Sequence, residues 1–250
     1  MQAEFAIEAM ATRFELVLLG ADERRVQSAG EAALEEIALV DRRWSRFRRD
    51  SLLSFLEREA LARPVSLDRD DCALLATALD VHERSSGAFD VCRSGSSDDI
   101  ELDRANRTIR FHRPLALDFG AIAKGHALDL ARERLIEAGI EHAFLHGGTS
   151  SVSAIGRGPG GSAWRVALAL STRTVDLDGR ALSVSAQRGR AHVIDRRTGE
   201  VAARTGSVSV CAPSAREADA WSTAALVLGY LPAQARGIEA IFLGEMESAA

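Results

Sequence analysis

The segment LDFGAIAKGHALDLARERL, residues 117 to 135, predicts a strand that turns directly into a helix. Apolar residues alternate with others over 115 to 118, which is typical of the end of a strand. Gly120 can turn the chain, and from about residue 121 the apolar residues recur with helical spacing. Lys124 therefore falls in the first turn of a helix that is entered from a strand.

A lysine at the start of a helix faces the positive end of the helix dipole, which is unfavourable. A bound anion would remove the conflict, because helix N-termini and lysines both attract phosphate. The alternative is a lysine that extends into solvent. The spacing of Gly120 and Gly125 is not that of a P-loop.

Composition predicts an ordinary globular protein: 250 residues, 46% hydrophobic and 27% charged. The net charge of -5 gives no reason to expect nucleic-acid binding. We interpret the arginines of DRRWSRFRRD (41 to 50) as the end of a helix. The length fits one large domain, and we treat 1–250 as a single domain.

The N-terminal residues contain no basic segment followed by an apolar one, and no apolar run is long enough to span a membrane. The three cysteines, Cys72, Cys92 and Cys211, form neither a disulfide framework nor a CxxC metal site. We therefore expect a cytoplasmic protein without a signal peptide, lipobox or transmembrane segment.

The element order predicts an α+β fold, because antiparallel hairpins are interrupted by helices. Helices are predicted at about 22 to 44, 51 to 59, 67 to 84, 121 to 135 and 215 to 228. Strands are predicted at 12 to 20, in a hairpin over 100 to 111, and in the segments HAFLHGG, SSVSAIG, AWRVALAL, ALSVSAQ, RAHVID, GSVSVCA and IEAIFLG.

The helix predicted at 215 begins with Ser214 and Glu217, which form a capping box. Asp219 and Thr223 are four residues apart, so a carboxylate and a hydroxyl share one face near a helix start that we expect to be exposed. Such oxygens suit Mg²⁺. The alternative is a surface aspartate that favours the dipole and a packed threonine.

Two further segments carry polar groups with possible chemistry. His192 lies on a predicted strand and could act as a general base near neutral pH, or be a hydrogen-bonded structural residue. The segment SSGAFDVC (85 to 92) joins a tight backbone, an aromatic side chain and a carboxylate. It could hold an aromatic ring with polar edges, or simply end a helix.

The order of these segments resembles that of the ApbE family, the FAD:protein FMN transferases. The resemblance rests on AMATRFEL, WSRFRRDSLLSFL, SSGAFD, LDFGAIAKGHALD, FLHGGTSSVSAIG, AHVIDRRTG and ADAWSTAALVLG, and it covers about residues 7 to 230. It implies an ApbE-like fold with a mixed, largely antiparallel sheet and packed helices. It also implies Mg²⁺-dependent transfer of FMN from FAD to a Thr or Ser hydroxyl of an acceptor protein, with release of AMP.

The resemblance implies roles for individual residues. Asp118 and Lys124 would hold FAD, with Lys124 near its phosphates, and His192 would be the base for the acceptor hydroxyl. Mg²⁺ would bind the main-chain carbonyl of Ala121 and the side chains of Asp219 and Thr223. The residues implied to line the flavin and adenine pockets or to contact the cofactor are Met10, Phe47, Ala88, Phe89, Asp90, Val193 and Ile194.

The sequence also departs from the family pattern. Thr149 replaces a usual aspartate, Arg196 replaces a usual proline, and the segment between Asp90 and Asp118 is short. Three functions therefore stay open: a flavin transferase, an FAD pyrophosphatase in which water replaces the acceptor, and a non-catalytic FAD-binding protein.

Overall fold

The computed structural model describes residues 1–168, 171–187, 193–202 and 206–243. The helices are α1 Glu23–Trp44, α2 Leu52–Glu59, α3 Arg69–Arg84, α4 Ala123–Glu137 and α5 Ala215–Leu228. The strands are β1 Gln2–Ala9, β2 Thr12–Leu19, β3 Val65–Ser66, β4 Cys92–Ser94, β5 Ile100–Asp103, β6 Thr108–Phe111, β7 Ala116–Leu117, β8 His142–Gly147, β9 Ser151–Ile155, β10 Trp164–Ala167, β11 Thr174–Leu177, β12 Ala181–Gln187, β13 Gly206–Ala212 and β14 Glu239–Leu243.

Seven strands form the main sheet, in the order β1-β2-β8-β9-β12-β13-β14. Each neighbouring pair is antiparallel. The predicted α+β class and the largely antiparallel sheet are confirmed. A mixed sheet was predicted, but all neighbouring strands of the main sheet pair antiparallel among the described residues.

The helices cover one face of this sheet because alternate strand residues are apolar. Phe14, Leu16 and Leu18 of β2 are fully buried and join one core cluster with α1, α4 and α5. On the other face, the β10–β11 hairpin shields a smaller cluster that includes Ala154 and Leu182. Helix α4 lies between α1 and α5, so its start is surrounded by other elements.

The predicted helices agree with the structure to within two residues at each end. Asp22 accepts a hydrogen bond from the Arg25 N–H and so caps α1, as its sequence position predicts. The sequence prediction missed β1, β3, β4 and β11. The strand predicted at 190 to 195 is represented among the described residues only by a single bridge between Ile194 and Val201. None of the described helices is long and apolar enough to cross a membrane.

Candidate functional site

Two adjoining cavities open beside the start of α4. The first, of about 390 Å³, is lined by Met10, Trp44 and Phe47 among others. The second, of about 670 Å³, is lined by residues of α4, α5, β12 and the turn after residue 192. Both share Asp118, Gly120 and Lys124 as a common wall. This arrangement suits a ligand with two bulky ends joined at that wall.

Lys124 is the second residue of α4 and is half-buried. The residue before the helix, Ile122, gives no side-chain cap. Within the described residues, the contact of the Lys124 ammonium is a 3.5 Å hydrogen bond to the carbonyl of Gly120. Lys124 is also the only lysine in the chain, whose other fixed cations are all arginines. The ammonium therefore has free hydrogen-bonding capacity in the wall that the two cavities share.

Asp118 is held at this wall by two contacts. Its Oδ1 accepts a 2.9 Å hydrogen bond from the Gly120 N–H, and its Oδ2 lies 3.4 Å from Nε of Arg46. The Arg46 guanidinium also stacks on the ring of Phe47, 4.5 Å from its centroid. Phe47 is 83% exposed at the edge of the first cavity. Arg46, which sequence analysis assigned to a helix end, thus contacts both the Asp118 carboxylate and the Phe47 ring at the edge of the first cavity.

Asp219 is buried, at 3% exposure, which corrects the expectation of an exposed helix start. The second turn of α5 packs against α4 and β9, so the carboxylate is enclosed. Its Oδ2 accepts a 2.6 Å hydrogen bond from the Gly125 N–H, and its Oδ1 accepts one of 2.7 Å from the Ser151 hydroxyl. These contacts fix its orientation in the wall of the second cavity, and sequence analysis did not identify Ser151.

Half of the predicted capping box at the start of α5 is present. The Ser214 hydroxyl accepts from the Glu217 N–H, whereas the Glu217 carboxylate accepts from the Ser214 hydroxyl and not from its main-chain N–H. A second cap comes from α4. The carboxylate of Asp129 accepts hydrogen bonds from the N–H groups of Ala215 and Arg216, at 2.7 and 3.1 Å. Burial raises the pKa of Asp129 to about 6, although Arg216 opposes the shift. A lone aspartate among apolar helix residues was the sequence signal for this contact.

Hydroxyl groups form one wall of the second cavity. The Ser185 hydroxyl lies 2.8 Å from that of Ser222 and 3.3 Å from that of Thr223. The Ser222 and Thr223 hydroxyls donate to the main-chain carbonyl of Asp219, at 2.9 and 3.4 Å. Thr149, Ser150 and Ser183 line the same cavity. The wall is therefore rich in hydroxyl oxygens beside the carboxylate of Asp219.

The segment from Ala88 to Asp90 reaches the second cavity through Ala88 and Asp90. The Asp90 carboxylate accepts hydrogen bonds from the Cys92 N–H at 2.8 Å and the Ser97 hydroxyl at 2.6 Å. The Phe89 side chain is 1% exposed and packs in the core, so in this structure it does not line the cavity. Burial and the Asp90 charge raise the pKa of the Cys92 thiol to about 12.

His82 supports this segment and was not identified from the sequence. Its Nδ1 lies 2.9 Å from the carbonyl of Phe89, and its Nε2 lies 3.2 Å from Oδ1 of Asp98. Residues 86 and 87 have positive φ, at 52° and 79°, and make a tight turn between α3 and the cavity.

The remaining predicted residues are placed as follows. Met10 and Ala11 have φ of 51° and 57° in the two-residue turn between β1 and β2, and Met10 lines the first cavity. Ala121, Thr223, Val193 and Ile194 line the second cavity. His192 lies outside the described residues, and its role stays a prediction.

Together, these observations define an α+β protein with two adjoining cavities that share Asp118, Gly120 and Lys124. The sequence profile of the ApbE family matches residues 10–97 and 92–242. The chain belongs to the ApbE family, which confirms the resemblance seen in the sequence.

Individual relatives agree with this assignment. The chain is 24% identical to the FAD:protein FMN transferase of Klebsiella pneumoniae, across 90% of this chain and 78% of that protein. It is 28% identical to the protein of that name from Treponema pallidum, across 88% and 79%. Its fold is similar to the apo flavinyl transferase ApbE of Pseudomonas stutzeri, with a TM-score of 0.83 at 22% identity over 97% of this chain and 92% of that one. The ApbE protein of Thermotoga maritima gives the same TM-score and identity, over 97% and 94%.

Proposed function

We propose that this protein transfers FMN from FAD to a Thr or Ser hydroxyl of an acceptor protein, with release of AMP and with Mg²⁺ as the metal. The names of the curated relatives support transfer of flavin to protein. The observation that carries the proposal is the wall of Asp118, Gly120 and Lys124 between two cavities. FAD has two bulky ends joined by a pyrophosphate, and Lys124, which has no carboxylate partner among the described residues, lies where the ends would meet.

The residues present fit a magnesium ion. Asp219 supplies a carboxylate whose oxygens keep lone pairs beyond the two hydrogen bonds that they accept. Thr223 lies one turn further along α5, and Ala121 borders the same cavity. No group of three or more His, Cys, Asp or Glu is found among the residues that the structure describes. Such a sparse set is typical of Mg²⁺, which keeps waters and binds substrate phosphates.

When bound at these residues, Mg²⁺ would neutralise charge on the pyrophosphate. The chain's own groups then have separate tasks. Lys124 stabilises negative charge on the phosphate oxygens, and Asp118 helps to hold FAD. His192 accepts the proton of the acceptor hydroxyl, whose oxygen forms a bond to the phosphorus of the FMN half. The bond from that phosphorus to the oxygen of AMP breaks, and AMP leaves with the electron pair.

The proposal is tested by incubating the protein with FAD, Mg²⁺ and an acceptor protein of one of the matched transferases. Transfer adds one FMN to the acceptor mass and releases one AMP. A matched incubation without acceptor measures hydrolysis. Equal release of FMN and AMP with and without acceptor would instead indicate an FAD pyrophosphatase. Tight FAD binding without either product would indicate a non-catalytic binding protein.

A further inference from the structure

The second cavity is lined by two side-chain cations that carry no carboxylate partner among the described residues. These are Lys124 and Arg196. The three carboxylates in the same lining, Asp90, Asp118 and Asp219, each accept hydrogen bonds from other groups. Lys124 and Arg196 are therefore both available to an anion that enters this cavity, and they come from two separate elements of the fold.

The turn that carries Arg196 has a constrained backbone. The N–H groups of Thr198 and Gly199 donate to the carbonyl of Asp195, at 3.2 and 2.8 Å. The neighbouring Arg197 forms an ion pair of 2.7 Å with the Asp195 carboxylate. The charges of Asp195 and Arg197 are thus paired with each other. Arg196 is exposed and forms no hydrogen bond or ion pair with any residue in the described ranges.

The same turn packs against the segment that borders the cavity on its other side. A Cβ added to Gly87 would lie 3.4 Å from Cγ of Arg197. Ala88 and Asp90, just after Gly87, line the cavity together with Arg196. The turn is therefore part of the cavity wall, and it lies close to Gly87.

We propose that Arg196 binds the pyrophosphate of FAD as a second cation beside Lys124, an inference that rests on the proposed function. A pyrophosphate carries two negative charges, and a guanidinium can bind phosphate oxygens through two parallel hydrogen bonds. Lys124 supplies a compact charge from the start of α4, and Arg196 supplies a planar donor from the facing turn.

The test compares wild type, Arg196→Gln, Arg196→Lys and a control, Arg24→Gln, which removes the same charge from the exposed surface of α1. FAD, ADP and riboflavin are titrated calorimetrically, with and without Mg²⁺. We expect Arg196→Gln to weaken FAD and ADP about tenfold and to leave riboflavin unchanged. Arg196→Lys should recover part of the loss, and Arg24→Gln should match wild type.

The proposal would be overturned if the Arg196→Gln variant bound FAD as tightly as the wild type does. If that variant also had a raised KM for the acceptor, Arg196 would be an acceptor contact instead. A loss of affinity for riboflavin equal to that for FAD would likewise overturn it, because the effect would then not involve phosphate. Wild type that binds riboflavin as tightly as FAD would overturn the proposed function as well. If the wild type prefers FAD over riboflavin and Arg196→Gln keeps the same preference, only the role of Arg196 would be overturned, and the proposed function would stand.

Discussion

The main-chain N–H of Gly125 donates a 2.6 Å hydrogen bond to Oδ2 of Asp219, 94 residues away in the sequence. This contact ties the first turn of α4, which carries Lys124, to the second turn of α5, which carries the predicted metal ligand. Asp129 makes the reciprocal contact by accepting hydrogen bonds from the start of α5. These two sets of contacts form a buried polar interlock between the two helices, and this interlock sets the positions of Lys124 and Asp219 relative to each other.

Gly125→Ala should disrupt this interlock. An added Cβ would lie 2.1 Å from the carbonyl oxygen of Ala215, and main-chain atoms cannot move aside cheaply. We expect a loss of about 1–3 kcal/mol in the free energy of unfolding, measured in urea, together with weaker Mg²⁺ dependence. Gly30→Ala is a comparison on α1, because the three atoms nearest its added methyl group belong to the side-chain ring of Phe5, which can move aside, and not to the main chain. An equal loss in both variants would contradict the special role of Gly125.

Lys124→Ala should weaken binding of FAD more than binding of FMN, since the ammonium is expected beside the pyrophosphate. A charge-assisted hydrogen bond contributes on the order of 1.5–3 kcal/mol, which corresponds to a loss of roughly 10- to 150-fold. Because Lys124 is the only lysine, acetylation of its amine can also be followed by mass spectrometry. FAD should protect this amine and riboflavin should not. Equal affinities of wild type for FAD and FMN would count against this placement.

Asp219→Asn should abolish Mg²⁺-dependent cleavage and still fold. The amide oxygen can accept from Gly125, and the amide nitrogen can donate to the Ser151 hydroxyl, so both buried contacts have replacements. Asp219→Ala leaves the Gly125 N–H unpaired and should cost about 1–3 kcal/mol of stability as well. Thr223→Val should reduce activity less than either. Unchanged Mg²⁺ dependence in Asp219→Asn would exclude this ligand set.

Two buried groups at the helix interlock should give opposite dependences of stability on pH. Burial raises the pKa of Asp129 from 3.8 to about 6. The folded state therefore favours the protonated carboxyl, and the free energy of unfolding falls as pH rises from about 3.8 to about 6. Burial and Arg216 lower the pKa of His126 from 6.5 to about 3, so stability is lost as pH falls through its window. Between about pH 4 and 6 the two effects oppose each other.

In Asp129→Asn, therefore, the dependence of stability on pH in this range should come from His126 alone. The variant's free energy of unfolding relative to wild type should rise with pH, by up to about 1.4 kcal/mol per pH unit over the shared window. His126→Gln should show the opposite slope. Urea unfolding at several pH values measures both. Parallel curves for all three proteins would show that neither group titrates as described.

His192→Ala should lower turnover by about 10²–10⁴-fold while FAD binding is kept, because a general base acts on the acceptor hydroxyl. Wild-type activity should rise with pH through the range in which histidine side chains ordinarily lose their proton. Single-turnover transfer to the acceptor measures the rate, and calorimetry measures FAD affinity. If wild type and His192→Ala transfer FMN equally fast, another group is the base.

The sequence by itself determined the local structure around the site and the family. Alternation and helical spacing located the strand, the turn and the helix start around Lys124, since these depend on neighbouring residues. The capping box of Ser214 and Glu217 was predicted for the same reason. Membership of the ApbE family was predicted from the order of the motifs along the chain, and this order can be seen without a fold.

Only the tertiary structure decided what depends on contacts between distant segments. Asp219 looked like an exposed helix residue because its sequence neighbours do not reveal that β9 and α4 enclose it. Ser151 and Asp129 act through partners 68 and 86 residues away, and His82 through partners 7 and 16 residues away. No local period encodes such pairs. Arg196 was visible only as a departure from a motif, whereas its place in a cavity with Lys124 follows from packing of the turn against Gly87. Burial and long-range hydrogen bonding are properties of the folded chain, which is why the sequence alone could not assign them.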